Sequence, residues 1–158
     1  LGSKSKMINE VTGRIEHDIL VTICSVYAAI LFTISFLHIY WALGGKIWID
    51  IVIPSKDGEL LFTPKPVLTL TVATGLFSAG TIFLGKAMSF FHLIPSSFFD
   101  WVMWGIVIIF FLRAIGDFNY VGFFKKNKES RFAFWDTRLY SPLCLFISLG
   151  ALLVSTFG

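Results

Sequence analysis

A chain of 158 residues that is 56% hydrophobic and 15% charged, with a mean hydropathy of +0.78, lies far from the roughly 25% charged content of soluble domains. That composition excludes an ordinary soluble enzyme and leaves an integral membrane protein. The formal charge of +3 is small, and the basic residues flank apolar runs instead of lining a groove, so no nucleic-acid partner is expected.

The first six residues, LGSKSK, resemble a vector-derived leader, which leaves residues 7–158 as a single transmembrane domain. Lys4 and Lys6 are therefore kept out of the charge reasoning. Apolar stretches at 19–43, 67–87, 98–115 and 143–157 are each a candidate span, since a hydrocarbon core of about 30 Å needs roughly 20 helical residues. The last is the shortest and must recruit LYSP to cross. Helices are thus predicted at about 18–43, 66–88, 97–117 and 141–157. The first run is too long for a cleaved signal and lacks a small-residue cleavage site, so it is expected to remain. The fold class is an all-α integral membrane protein, a four-transmembrane-helix bundle with two aromatic-rich loops on one face.

In helix one, Tyr27, Leu31, Ile34, His38 and Trp41 recur at spacings of four and three, a stripe that points His38 toward the bundle interior near its loop end. The loop that follows carries Trp48 and Phe62. Helix two opens at Pro66, where a missing N–H costs least. Its Thr71, Gly75 and Ser78 recur at helical spacing and read as the inner packing face of the bundle, or alternatively as the contact of a homo-oligomer. Ser97 followed by Asp100 reads as a capping box at the start of helix three.

Arg113 lies just inside the end of helix three, and Asp117 follows one turn on. Charges at such depth are normally paired and turned inward, so an Arg113–Asp117 pair is expected. The second long loop carries Tyr120, Phe123, Phe124, Phe132, Phe134 and Trp135, while its KKNKES run is expected to project into water. Asp136 and Arg138 precede helix four, whose first turn holds Pro142. With Tyr140 they complete a polar cluster.

Helix ends one, three and four therefore converge on one mouth. Its candidate residues are His38 and Asp136 as catalytic groups, with Trp41, Arg113, Asp117, Arg138 and Tyr140 as ligand contacts. Other chemistries are disfavoured. Cys24 and Cys144 are isolated within apolar helices with no CxxC, which argues against a thiol oxidoreductase. His17 and His92 look interfacial, so neither haem nor a metal is expected, and no cofactor. No carboxylate lies in the middle of a span, as a proton-driven exporter would require.

The segments HIYWALGG, FTPKP, LRAIGDFNYVGFFK and FAFWDTRLYSPLCL together resemble the small bacterial membrane proteins grouped as domain of unknown function 3995, over nearly the whole chain. The resemblance implies a four-helix bacterial inner-membrane protein and carries no activity. The residues favour a protein that binds or acts on a lipid-like or isoprenoid amphiphile, with its head group against the forked guanidinium groups of Arg113 and Arg138 and its tail between the helices. The alternatives are a membrane subunit docking a partner or anionic lipid, and a small oligomeric transporter.

The loop face carries Lys46, Lys56, Lys65, Arg113, Lys125, Lys126, Lys128, Arg131 and Arg138, against Arg14 and Lys86 on the opposite face. By the positive-inside rule the loop face is expected in the cytoplasm and the termini outside. An impermeant thiol reagent applied to spheroplasts should accordingly label a cysteine at Asn9 and spare one at Asn127; the reverse pattern inverts the topology.

Overall fold

The computed structural model describes residues 2–56, 59–88 and 96–157. The helices are α1 (Gly2–Ala42), α2 (Ile49–Val52), α3 (Pro66–Met88), α4 (Ser96–Ile115), α5 (Arg131–Trp135) and α6 (Ser141–Phe157). A π-helical turn, Asp136–Tyr140, joins α5 to α6, and two short strands, β1 (Ser55–Lys56) and β2 (Glu59–Leu60), pair antiparallel with Ser55 opposite Leu60. Among the described residues four helical spans are long and apolar enough to cross a membrane, so the chain is a multi-pass, all-α membrane bundle. His92 lies outside the described residues.

Helix α1 packs along α3, and α4 packs along α6; narrower contacts of α1 with α6 and of α3 with α4 close the bundle. Leu31, Phe83, Met103 and Ile147 meet fully buried at its centre. Because lipid is as apolar as this core, helix association relies on close packing and hydrogen bonds between helices. Ser35 Oγ donates to Ala73 O of α3 at 2.8 Å, and Ser148 Oγ donates to Val107 O of α4 at 2.9 Å. Tyr27 OH reaches Phe146 O of α6 at 3.2 Å, and its ring stacks on Phe83 at 5.2 Å. Tyr27 and Leu31 are thus buried on the expected stripe, with Ile34, His38 and Trp41 half-buried on its continuation.

Several boundaries and faces differ from the sequence expectation. Helix α1 begins at Gly2 and not near residue 18, making it about 60 Å long at 1.5 Å per residue. No proline interrupts residues 2–18, and Ile8, Val11, Ile15 and Ile19 keep helical spacing there, so nothing stops the helix. Pro66 does open α3 as expected. Pro142, by contrast, lies inside a continuous helical run that starts at Arg131, capped by Ser130 Oγ on Ala133 N at 3.0 Å. Proline withdraws the N–H that would bond four residues back and crowds that carbonyl. The helix absorbs this with the wide turn just before it, in which Ser141 N–H bonds Asp136 O.

The small residues of α3 face the other way from expectation. Thr71, Gly75 and Ser78 are exposed, and the inner face is Ala73, Ala79, Gly80, Phe83 and Ala87. Both faces are rich in small residues, so spacing alone did not separate them; the ring of Phe32 against Gly80 decides it, lying 2.8 Å from where a Cβ would stand. Helix α4 starts one residue before Ser97, which places Ser97 within its first turn, and Asp100 pairs with Lys86 at 3.7 Å instead of completing a capping box.

A Cβ at Gly150 would lie 2.1 Å from the Tyr27 ring, which is itself held by Phe83 and Phe146 and cannot swing aside. Gly150→Ala should therefore overpack the α1–α6 contact and cost roughly 1–3 kcal/mol. Gly75→Ala, with nothing within 4 Å, should not lower the midpoint. Thermal unfolding of both variants in detergent checks the pair.

Candidate functional site

Helix α4 stops because the chain after Ile115 makes a reversal open only to glycine. Gly116 and Gly122 adopt φ of +87° and +90°, and their backbones nearly touch. A Cβ on Gly116 would fall 1.7 Å from Val121 O, and one on Gly122 would fall 2.1 Å from Ile115 O. Between them Asp117 Oδ1 accepts the backbone N–H groups of Asn119, Tyr120 and Val121 at 2.9, 2.8 and 2.9 Å. Desolvation pushes this carboxyl up, but those backbone bonds outweigh it and hold Asp117 below the ordinary carboxylate range. The stabilisation it lends the turn is present above the unfolded carboxylate pKa and is lost as pH falls through the depressed folded value.

Asp117 is thus a turn residue, and the expected pair with Arg113 does not form. The helix ends at Ile115, so Asp117 no longer lies one turn along the same face. Arg113 turns instead to Asp136, its Nη2 donating to Oδ1 at 3.1 Å. Asp136 is fully buried on the π turn. Its Oδ2 accepts Gly122 N–H at 2.7 Å and Lys125 Nζ at 3.0 Å.

Lys125 is the residue that sequence reasoning missed. The KKNKES run was expected in water, yet Lys125 is only 2% exposed, while Lys126, Asn127 and Lys128 are exposed. Its ammonium also donates to Gly122 O at 2.9 Å and Thr137 Oγ1 at 2.6 Å, so all three of its protons are used. Thr137 Oγ1 in turn donates a hydrogen bond to Ala133 O at 3.1 Å. The only sequence signal for this was the glycine pair six residues apart: a reversal there carries residues 123–125 back against α4, and Phe123 N–H does bond Ala114 O at 2.9 Å.

Two cations therefore surround one carboxylate, leaving a formal excess of +1. The side chain of Arg113 is 37% exposed, but its Nη1 is covered and has no protein acceptor; Ser141 Oγ, just beyond the π turn, is also buried and unpartnered. An unsatisfied buried donor costs about 1–3 kcal/mol, and more when charged.

The remaining candidates make no hydrogen bond or ion pair to this network among the described residues. The His38 ring contacts Trp41 edge to face at 5.1 Å, and its Nδ1 bonds Ile34 O at 2.8 Å, which makes Nδ1 the protonated nitrogen. Trp41 Nε1 donates to Ile47 O at 2.9 Å. No hydrogen bond or ion pair links either residue to Arg113 or Asp136 among the described residues. Arg138 is exposed, with its guanidinium 4.1 Å over the Phe134 ring, and the half-buried Tyr140 ring faces Phe132 at 6.1 Å. The seven candidates thus separate into a network at Arg113 and Asp136, a capped turn at Asp117, an aromatic pair at His38 and Trp41, and side chains outside the network at Arg138 and Tyr140.

The two long loops do meet over the same face. Helix α2 packs on α5, Arg131 forms an ion pair with Asp50, and Ile53, Phe132 and Ala133 are buried. Trp48 and Trp135 stay partly exposed at 56% and 39%, as interfacial aromatics do.

The chain belongs to the family described as protein of unknown function (DUF3995), whose model matches residues 31–151. All the residues of the network fall within the matched segment. Neither the curated proteins nor the solved structures show a significant match.

Removing Asp136 strands Lys125 and Arg113. Asp136→Ala should cost roughly 3–5 kcal/mol. Combining it with Lys125→Met should cost less than the sum of the single changes, because the ammonium then no longer lies buried without its counter-ion. A double-mutant cycle by chemical unfolding in detergent measures the coupling, and simple additivity would contradict the network.

Proposed function

We propose that this chain binds the acidic head group of a membrane amphiphile, lipid-like or isoprenoid, at the mouth of the bundle on its loop face. The observation that carries the reading is the charge excess of the buried network, together with a guanidinium nitrogen that has no protein acceptor. A phosphate or carboxylate satisfies both at once, since it accepts from the free edge of Arg113 while Asp136 holds the opposite edge. Because Nη1 is covered, binding requires a side-chain shift at the mouth. In this reading Asp136 and Lys125 orient Arg113 and do not move protons: both carboxylate oxygens already hold donors. His38, with Nδ1 committed to Ile34 O, has only Nε2 to offer and belongs to the neighbouring aromatic wall. The loop face is taken as cytoplasmic in a bacterial inner membrane, on the Lys and Arg excess of the two loops.

A competing reading treats the network solely as a clamp in a subunit that docks a partner, and the full satisfaction of Lys125 favours it. Transport is the weaker alternative, because the centre of the bundle is closed by Leu31, Phe83, Met103 and Ile147.

Dodecyl phosphate and laurate, compared with dodecanol of the same chain length, separate these readings in a thermal-unfolding assay. At a hundredfold excess over Kd an acidic probe should add about 2.7 kcal/mol of stability, and dodecanol much less. Arg113→Gln, in which Lys125 still neutralises Asp136, should fold and lose the head-group preference. Equal stabilisation by all three probes, or an unchanged preference in Arg113→Gln, rejects head-group binding at Arg113.

A further inference from the structure

The second loop builds a cavity of about 400 Å³ that opens to the surface and is lined by Lys128, Glu129, Ser130, Arg131, Phe134 and Trp135. Its chemistry differs from that of the buried network. Lys128 and Arg131 supply two exposed cations, and Arg138 adds a third, stacked 4.1 Å from the Phe134 ring that forms one wall. Glu129 and Asp50, the latter paired with Arg131, are the anions present, so the cavity keeps a net positive charge. Ser130 Oγ accepts Ala133 N–H and still has its own proton to donate.

Below the cavity an apolar track continues into the membrane span. Trp135 is followed by Leu139, Phe146 and Leu153, spaced seven apart along one face of the helical run and each about half exposed. Cations and a hydroxyl at the interface, aromatic walls beside them and an aliphatic stripe beneath match the parts of a phospholipid in order of depth. A free phosphate would leave the track without a role.

We infer that the cavity formed by residues 128–135, together with the Leu139–Phe146–Leu153 stripe, is a site for an anionic phospholipid of the surrounding bilayer, separate from the mouth at Arg113. Lys128 and Arg138 contact the phosphate, Trp135 lies at the level of the glycerol ester groups, and the acyl chains follow the stripe. The inference does not depend on what binds at Arg113.

The test uses the full chain in phosphatidylcholine vesicles that contain a fixed fraction of phosphatidylglycerol, with brominated acyl chains on one lipid at a time. The share of quenching that belongs to Trp135, among the five tryptophans, is isolated by comparison with Trp135→Phe. Brominated phosphatidylglycerol should quench Trp135 in excess of brominated phosphatidylcholine at equal mole fraction. Lys128→Gln and Arg138→Gln, both exposed and outside the core, should each reduce that preference roughly fivefold. Lys126→Gln, an exposed cation of the same loop outside the cavity, should leave it in place. Equal quenching by the two lipids overturns the inference, and so does a loss in Lys126→Gln as large as in Lys128→Gln or Arg138→Gln, which would mark diffuse surface attraction or a site elsewhere.

Discussion

One buried carboxylate organises the loop face of this protein. Asp136, wholly removed from solvent, is held by the guanidinium of Arg113, the ammonium of Lys125 and the amide of Gly122. A charge in that position is tolerable only because opposite charge and hydrogen bonds surround it. Each donor comes from a different stretch of chain: the last turn of α4, the reversal after it, and the segment returning toward α5. The carboxylate thereby fixes where the loop lies relative to the two helices it joins.

The local features around it serve that end. Gly116 and Gly122 allow the backbone to double back at a separation no side chain permits, and Asp117 ties down three amides of the turn. Pro142 is accommodated by a π turn, and that wide turn carries Asp136. A backbone irregularity forced by one residue thus sits where the polar network forms, a setting common to functional sites in helices. Within the span the same economy holds on a smaller scale, with Ser35, Ser148 and Tyr27 each donating to a carbonyl of a neighbouring helix.

The loop face also separates two kinds of positive charge. Lys125 and Arg113 are drawn in by Asp136, whereas Lys128, Arg131 and Arg138 remain outside among aromatic rings. The first set is tied to a carboxylate, with Lys125 desolvated and Arg113 partly exposed. The second is wet, and its energies are those of interfacial electrostatics, weaker and sensitive to salt. A count of basic residues treats the two sets alike, although their physical roles differ.

Apolar length and composition determined the four spans, the all-helical bundle and the placement of both long loops on one face, since these follow from the bilayer's thickness and its demand for internally bonded backbone, and the missing N–H of Pro66 marked the opening of α3. The same information located Arg113 and Asp136 as ionisable groups needing partners, and the motifs around them marked the family. Which partner each charge takes was decided only in three dimensions. Asp117 lost Arg113 because Gly116 ends the helix before another turn is made, and Lys125, five residues after Tyr120 in a run that reads as solvated, is swung inward by the reversal that Gly116 and Gly122 form. The outward turn of Thr71, Gly75 and Ser78 had the same cause in a different place: periodicity identifies a face, but the ring that fills the space opposite Gly80 decides which face is inside. Local spacing carries information about direction along one helix, and pairing between segments depends on contacts that no single segment contains.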